Sequence, residues 1–273
     1  MTTIPATAQR LAVPGADLHY EVRGDGPLVL LAGAPMDARS FEGLAALLAR
    51  DHTVLTTDPR GINRSSVAHP DRDSTPEERA DDLARLLAHL DAGPAAAFGS
   101  SGGAVSVLAL AQTRPELVHT VIAHEPPLEE LLPDREQLHA ATEDMIATYL
   151  AGDVAGAWGK FLRAANIDFP PEMIEQVFLS DRSPQTVADE RFQFAHMLRA
   201  TARWRPDLDR LRAVPTRIVV GIGEQSAGQL CDRASRALAA GLGLTPTMFP
   251  GDHIGFVEEP AAFEARLRAV LQS

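Results

Sequence analysis

Several kinds of residue and segment are scarce in this chain of 273 residues. A single cysteine, Cys231, excludes an internal disulfide and fits a reducing compartment. No apolar run approaches the ~18 residues of a membrane span, and residues 1–26 lack the basic and apolar segments of a signal peptide. We therefore expect a cytoplasmic protein with no membrane partner.

Clusters of basic residues are also missing. Lys and Arg number 25 against 37 Asp and Glu, a formal net charge of -12, so nothing indicates a nucleic-acid partner. No HExxH or paired CxxC spacing occurs, and no GxGxxG motif follows a predicted strand. The sequence therefore predicts neither a metal site nor a cofactor.

The chain does contain a regular alternation of short apolar runs and helical patterns. The stretches RLAV and DLHYEV predict an N-terminal hairpin, after which PLVLLAG, HTVLTTD and AAAFGS each precede a helical pattern. Short apolar runs bounded by Gly and Pro are typical of strands buried on both faces of a parallel sheet. The sequence thus predicts an α/β fold with a mostly parallel sheet, the N-terminal hairpin and helices on both faces.

The alternation stops for about 80 residues, which have the pattern of broken helices. We expect a core formed by residues 1–127 and 208–273, and an inserted helical cap at 128–207 over the carboxyl edge of the sheet. The cap segment concentrates aromatic side chains, which would either line a pocket for a hydrophobic small molecule or pack the cap onto the core. The candidates for substrate binding are Trp158, Phe192, Phe194 and Trp204.

The stretch AAAFGSSGGAV places two serines where a predicted strand turns into a helix. In a G-x-S-x-G elbow the strained backbone of the serine requires small residues two positions before and after it. Ser101 has Gly99 and Gly103 at these positions, whereas Ser100 would need a glycine where Phe98 stands. Ser101 is therefore the candidate nucleophile, and a Gly-Ser turn without chemistry is the alternative.

A serine hydroxyl needs a base at neutral pH, and histidine, with an ordinary pKa of about 6.5, suits this task. Of the nine histidines, His253 lies in FPGDHIGFVEEP, a predicted loop between the last strand and the last helix. That loop returns to the sheet edge that carries the elbow, in the usual chain order of Ser, acid and His. His124 lies close by, and we expect it to serve packing or orientation.

Two carboxylates compete to orient the His253 ring. Glu125, in VIAHEPPL, follows the strand after the elbow helix, and that strand adjoins the nucleophile strand. Glu224, in GIGEQSAG, lies in a turn of the next strand but comes about two residues early. A carboxylate at the first position can fix the histidine tautomer and stabilise the imidazolium. We favour Glu125, keep Glu224 open, and note that an exposed strand-end charge remains an interpretation of Glu125.

Stabilisation of an oxyanion needs two backbone N–H groups aimed at the developing charge. The elbow supplies one from the residue after the nucleophile, Gly102. The loop after PLVLLAG, with the sequence AGAPMD, supplies the other from Ala34. Pro35 holds this turn in place and is a further candidate for substrate contact.

These motifs together resemble the α/β-hydrolase superfamily over nearly the whole chain, and within it the zearalenone lactonase group. That group has an SSGA elbow, an HE-x-P phrase with Glu as the acid, and a PG-x-H histidine; this sequence has SSGGA, HEPP and PGDH. The resemblance implies a triad of Ser101, Glu125 and His253 that hydrolyses an ester bond through an acyl-enzyme. In most of the superfamily the acid follows a later strand, at the position that Ser226 occupies here.

The sequence therefore predicts a serine hydrolase that cleaves carboxylic esters or lactones of a hydrophobic small molecule. The same residues would also serve carbon-carbon bond hydrolysis, a lyase or a cyclase, because this fold hosts many reactions. A ligand receptor without turnover, built on a hydrolase body, is a hypothesis from a different class. A homodimer also remains open.

Overall fold

The structure is a computed structural model and describes residues 4–180 and 182–272. The described strands join in one nine-stranded sheet with the order β1-β2-β4-β3-β6-β7-β8-β9, in which β5 pairs with β2. Their bounds are β1 Thr7–Val13, β2 Ala16–Arg23, β3 Leu28–Ala32, β4 Thr53–Thr57, β5 Ser66–Val67, β6 Ala95–Ser100, β7 Val118–His124, β8 Arg217–Gly223 and β9 Thr247–Phe249.

The described helices fall on both faces of the sheet and in one insertion. Their bounds are α1 Glu42–Leu48, α2 Pro76–Leu90, α3 Gly102–Thr113, α4 Arg135–Leu150, α5 Val154–Ala165, α6 Pro171–Ile174, α7 Pro184–Phe192, α8 Leu198–Ala202, α9 Leu208–Ala213, α10 Leu230–Leu242, α11 Gly255–Glu258 and α12 Pro260–Gln272. No helix in the described part of the chain combines the length and apolar character that crossing a bilayer requires.

The burial of each strand follows its place in the sheet. Strands β3 and β6 are buried at every residue, as expected for central parallel strands covered by helices on both faces. Strand β1 lies at the edge, pairs antiparallel with β2 and is mostly exposed. Strands β3, β4, β6, β7, β8 and β9 run parallel. The predicted α/β fold and its N-terminal hairpin are confirmed.

Two apolar layers sandwich the sheet. Helices α2, α3 and α10 pack on one face through a cluster of Leu, Val and Ala side chains. Helices α1 and α12 cover the other face, where the aromatic rings of Phe41 and Phe256 stack with centroids 4.9 Å apart. Because both faces are covered, the carboxyl edge of the parallel strands is where a ligand crevice can form.

Between β7 and β8 the described chain forms helices and turns and adds no strand to the sheet. Helices α4 to α8 lie in this insertion, and α7 and α8 are joined by a stretch of wider π-helical turns at Gln193–Met197. Such π-helical turns are frequent at functional sites. We propose that these helices form the cap expected at 128–207.

Candidate active site

Ser101 occupies a strained turn between β6 and α3. Its backbone has φ 57° and ψ -126°, a conformation that non-glycine residues rarely adopt and that is characteristic of a nucleophile elbow. The two flanking glycines permit this turn: a Cβ atom at Gly99 would lie 2.4 Å from the Gly103 carbonyl oxygen, and one at Gly103 would lie 2.2 Å from the Ala32 carbonyl oxygen. The small residues around Ser101 are therefore a steric requirement of this turn.

Strands β6, β7 and β8 end side by side and bring the other predicted residues to the same edge. The Ser101 N–H donates to the His124 carbonyl oxygen at 3.0 Å, and the Glu125 N–H donates to the Gly221 carbonyl oxygen at 3.0 Å. Glu125 then leaves the strand direction with φ 51°. A hydrogen bond of 2.6 Å joins its Oε2 atom to Nδ1 of His253.

The Glu125 carboxylate is fully buried and uses both of its oxygens. While Oε2 faces His253, Oε1 accepts a hydrogen bond of 2.8 Å from the Gly223 N–H. Two fixed partners hold the carboxylate in one orientation, which in turn fixes the orientation of the imidazole. The neighbouring Glu224 is exposed, and its own N–H continues the pairing of β8 with β9.

The charges of this pair reinforce each other. Burial raises the pKa of Glu125, but the hydrogen bond and positive charge of His253 outweigh it and lower that pKa to about 2. Burial lowers the pKa of His253, but Cys231 and the Glu125 carboxylate outweigh it and raise that pKa well above 6.5. Glu125 is therefore ionised throughout the neutral range, and an imidazolium formed at His253 is stabilised.

Cys231 is a neighbour of this pair that the sequence did not identify. It lies in the first turn of α10, and its sulfur atom, one Glu125 oxygen and one His253 ring nitrogen lie within 4.8 Å of one another. Sulfur, oxygen and nitrogen could together hold a metal ion. In this structure the 2.6 Å hydrogen bond already engages Glu125 with His253.

Ala34 and Gly102 face each other across the elbow, where the Ala34 carbonyl oxygen lies 2.4 Å from an ideal Cβ position on Gly102. Among the described residues, no hydrogen bond uses the N–H of either one. Both residues line the cavity that Ser101 and His253 also line. Two donors without partners beside a strained serine are what an oxyanion hole requires.

This cavity lies between the sheet edge and the inserted helices. Its volume is about 900 Å³ when the open solvent at its mouth is included. Apolar side chains supply most of the wall, and they come from the inserted helices and from α10: Met145, Phe161, Ile167, Met197, Leu198 and Leu230.

Comparison with known proteins places the chain in a family. Residues 26–205 match the family described as alpha/beta hydrolase fold. The chain belongs to this family. It is 33% identical over 269 residues to the uncharacterized hydrolase YraK of Bacillus subtilis (strain 168), covering 96% of this chain and 95% of that protein. This α/β hydrolase is therefore a hydrolytic enzyme.

Two further similarities are more distant. A zearalenone hydrolase of Cladophialophora bantiana is 32% identical over 121 residues, which cover 43% of this chain and 46% of that protein. The crystal structure of a hydrolase from Pseudomonas aeruginosa PA01 has a TM-score of 0.72 at 22% identity, covering 97% of this chain and 98% of that one. The structural likeness supports the α/β hydrolase fold.

The aromatic side chains that the sequence nominated for substrate binding do not line this cavity among the described residues. Trp204 packs in the core and donates its indole N–H to Glu77 Oε1 at 2.8 Å. Phe194 is fully buried and stacks on Tyr149 with ring centroids 4.4 Å apart. Both side chains are packed against other parts of the protein and lie outside the lining of this cavity among the described residues.

The other two nominated aromatics are held elsewhere as well. Trp158 donates its indole N–H to Glu190 Oε2 at 2.7 Å and stacks on Phe178 at 4.2 Å. Phe192 is 8% exposed and packs against the backbone at Gly61. Trp158 lines a neighbouring, more open groove. Pro35 is different, because it lines the cavity.

Several cavity residues lay outside the sequence prediction. Phe161 belongs to the same aromatic-rich segment as the nominated side chains, but nothing in the pattern distinguished it from them. Met197 and Gln193 reach the cavity from the π-helical turns of the insertion. Glu129 also lines the wall and is 4% exposed. The sequence signal that could have identified Glu129 is its acidic side chain shortly after the HEPP phrase.

Proposed function

We propose that this hydrolase cleaves carboxylic esters or lactones of an apolar small molecule through an acyl-enzyme on Ser101. The observation that carries the proposal is the 2.6 Å hydrogen bond between His253 Nδ1 and Glu125 Oε2 beside an elbow serine that lines the same cavity as His253. A serine, a histidine and a buried carboxylate in these roles form the triad that acyl transfer uses on several folds.

In this mechanism His253 Nε2 takes the proton of the Ser101 hydroxyl while the oxygen attacks the ester carbonyl carbon. The Nδ1 proton stays in the hydrogen bond to Glu125, whose negative charge stabilises the imidazolium. The N–H groups of Ala34 and Gly102 stabilise the oxyanion of the tetrahedral intermediate. Removal of one such donor costs about 3 kcal/mol in comparable sites.

The intermediate collapses when the imidazolium gives its proton to the leaving alcohol oxygen, which leaves the acyl group on Ser101. His253 then takes a proton from water while the water oxygen attacks the acyl carbon. The bond from that carbon to the Ser101 oxygen breaks, the imidazolium returns the proton to this oxygen, and the acid is released. In a lactone the alcohol and acid parts remain one molecule, so the product is a single hydroxy acid. A cavity with predominantly apolar walls suits an apolar substrate.

The partial similarity to a zearalenone hydrolase supports inclusion of a lactone among the candidates. The panel that tests the proposal holds p-nitrophenyl esters of rising chain length, aliphatic lactones and an aromatic macrolactone. Wild-type turnover that disappears in Ser101→Ala is the expected result. A serine-bound acyl group, seen as a mass increase after rapid acid quench, tests the covalent step. An inert wild-type enzyme, or equal turnover by Ser101→Ala, would overturn the proposal.

A further inference from the structure

One polar side chain in the apolar cavity wall has no role in the mechanism above. Glu129 lies at the start of a single 3-10 turn, Glu129–Leu131, and is 4% exposed. Its Oε1 atom accepts a long hydrogen bond of 3.4 Å from the Thr142 hydroxyl. Its Oε2 atom is buried and makes no hydrogen bond among the described residues.

The imidazole of His139 does not satisfy that oxygen. His139 Nε2 lies 3.8 Å from Glu129 Oε2 and is nearer to Glu130, at 3.4 Å from its Oε1 atom. A separation of 3.8 Å is too long for a hydrogen bond. Because a buried polar oxygen without a partner is costly, its presence in a cavity wall points to a group supplied by the ligand.

We propose that Glu129 binds a hydroxyl group of the substrate through Oε2, and that the natural substrate is an uncharged, apolar ester or lactone with a hydroxyl remote from the scissile carbonyl. This inference rests on the proposed ester hydrolysis and specifies its substrate class. Thr142 holds the other carboxyl oxygen and so orients the group. Met145, Met197 and Leu198 supply apolar surface to the same cavity wall.

A hydroxyl suits this carboxyl group better than a charged partner does. Burial raises the pKa of Glu129 to about 7, so both protonation states are populated at neutral pH. A hydroxyl donates to the carboxylate and accepts from the protonated acid, so it serves both states. A substrate ammonium would pair with the carboxylate alone and would lose its hydration in the apolar cavity. A substrate carboxylate would be repelled by the ionised form.

The test compares esters that differ in a hydroxyl alone. Two series of rising length carry a terminal hydroxyl on the acyl chain or on the alcohol chain, and each compound is matched by one with methyl in place of hydroxyl. Acid release gives kcat/KM for every pair. For at least one chain length in one series, we expect kcat/KM to be roughly 10- to 100-fold higher for the hydroxyl compound than for its methyl counterpart, because a hydrogen bond to a charged group supplies a ratio of this size.

Variants assign the preference to this residue. Glu129→Leu should abolish the hydroxyl preference, whereas Glu129→Gln, whose amide both donates and accepts, should retain most of it. Glu130→Gln is the matched control, because this neighbouring carboxylate lies outside the cavity wall among the described residues and its loss should leave the preference for the hydroxyl compounds in place. Circular dichroism and thermal unfolding show whether each variant is folded. The kcat/KM ratios of the wild-type enzyme test the proposal even if a variant fails to fold.

A pH series adds a second readout. The ratio of kcat/KM for an ω-carboxylate ester to that for its methyl counterpart cancels the titration of the triad, which both substrates share. This ratio should fall as pH rises through about 7, where Glu129 ionises, and should be flat in Glu129→Gln. The other charged or titratable groups that face Glu129 are His139, Glu130, Arg203 and Asp134.

The outcomes separate the two proposals. If the wild-type enzyme hydrolyses the esters but prefers the hydroxyl compound at no length, the role of Glu129 is overturned and ester hydrolysis stands. A preference that survives in Glu129→Leu also overturns it. If the wild-type enzyme hydrolyses no ester or lactone, the proposed function fails, and this inference fails with it.

Discussion

Replacement of Glu125 by Gln is the sharpest test of the proposed acid. The Gly223 N–H donates to Oε1 at 2.8 Å and needs an acceptor, so the amide oxygen of the glutamine takes that position. The amide NH₂ group then occupies the place of Oε2, 2.6 Å from His253 Nδ1 in the present structure. An NH₂ group donates, so Nδ1 must accept and the proton moves to Nε2.

That tautomer places a proton on the nitrogen that must take one from Ser101. The corresponding change of carboxylate to amide in a known serine protease triad lowers kcat about 10⁴-fold. We therefore expect Glu125→Gln to lower kcat by roughly 10³- to 10⁴-fold, or about 4 to 5.5 kcal/mol. KM should change little, because Glu125 is fully buried behind the imidazole and is absent from the cavity lining in the described residues.

Steady-state kinetics on the preferred ester measures the effect, and Glu224→Gln provides the control. That variant removes the same charge from an exposed side chain at the end of the next strand, so kcat should remain within a few fold of wild type. Thermal unfolding shows whether the buried substitution has disturbed the fold. A folded Glu125→Gln enzyme with nearly normal kcat, or a large loss in Glu224→Gln, would refute the assignment of the acid.

Three further predictions follow from other contacts. Cys231 raises the pKa of His253, so Cys231→Ser should move the acid limb of the pH profile of kcat/KM to lower pH, because activity is lost as pH falls through that pKa. A Cβ atom at Gly103 would lie 2.2 Å from a strand carbonyl oxygen, so Gly103→Ala should lower the free energy of unfolding by about 2 kcal/mol or more. Gly159→Ala is the control and should cause no such loss, because a Cβ atom there would have its nearest contact at 3.7 Å. Trp204→Phe should lower the melting temperature through the lost indole hydrogen bond but leave kcat/KM within a few fold.

The sheet was predictable because its signal is local. Strand β3, with the sequence LVLLA, and β6, with AAAFGS, are buried at every residue, and a continuous apolar run bounded by turn residues indicates this directly. The elbow was equally predictable from the sequence, because steric crowding around Ser101 restricts the residues two positions before and after it to very small ones. Parallel pairing then brings the ends of β6, β7 and β8 together without further information.

The cavity wall was not predictable in the same way. Phe161 and Phe194 lie in one aromatic-rich segment, yet one lines the cavity while the other stacks on Tyr149. The difference depends on how the inserted helices rotate and pack, which the one-dimensional pattern does not specify. Indole groups add a second difficulty: their N–H needs a partner when buried, and Trp158 finds one in Glu190 away from the cavity.

The position of the acid was only partly predictable from the sequence, which left Glu125 and Glu224 as candidates. The backbone geometry shows why the Glu125 side chain, and not that of Glu224, reaches His253. Glu125 and Glu224 both follow parallel strands, but φ 51° at Glu125 redirects its side chain toward His253, while the Glu224 N–H continues the strand pairing with the Phe249 carbonyl oxygen at 2.9 Å. Ser226 is fully buried and lies close enough to Glu125 to contribute to the lowering of its pKa, although its hydroxyl oxygen makes no hydrogen bond among the described residues. A second carboxylate at 226 would repel the first and keep one of the two protonated. An acid at position 125 therefore favours a small, neutral residue at position 226, and Ser226 meets this requirement.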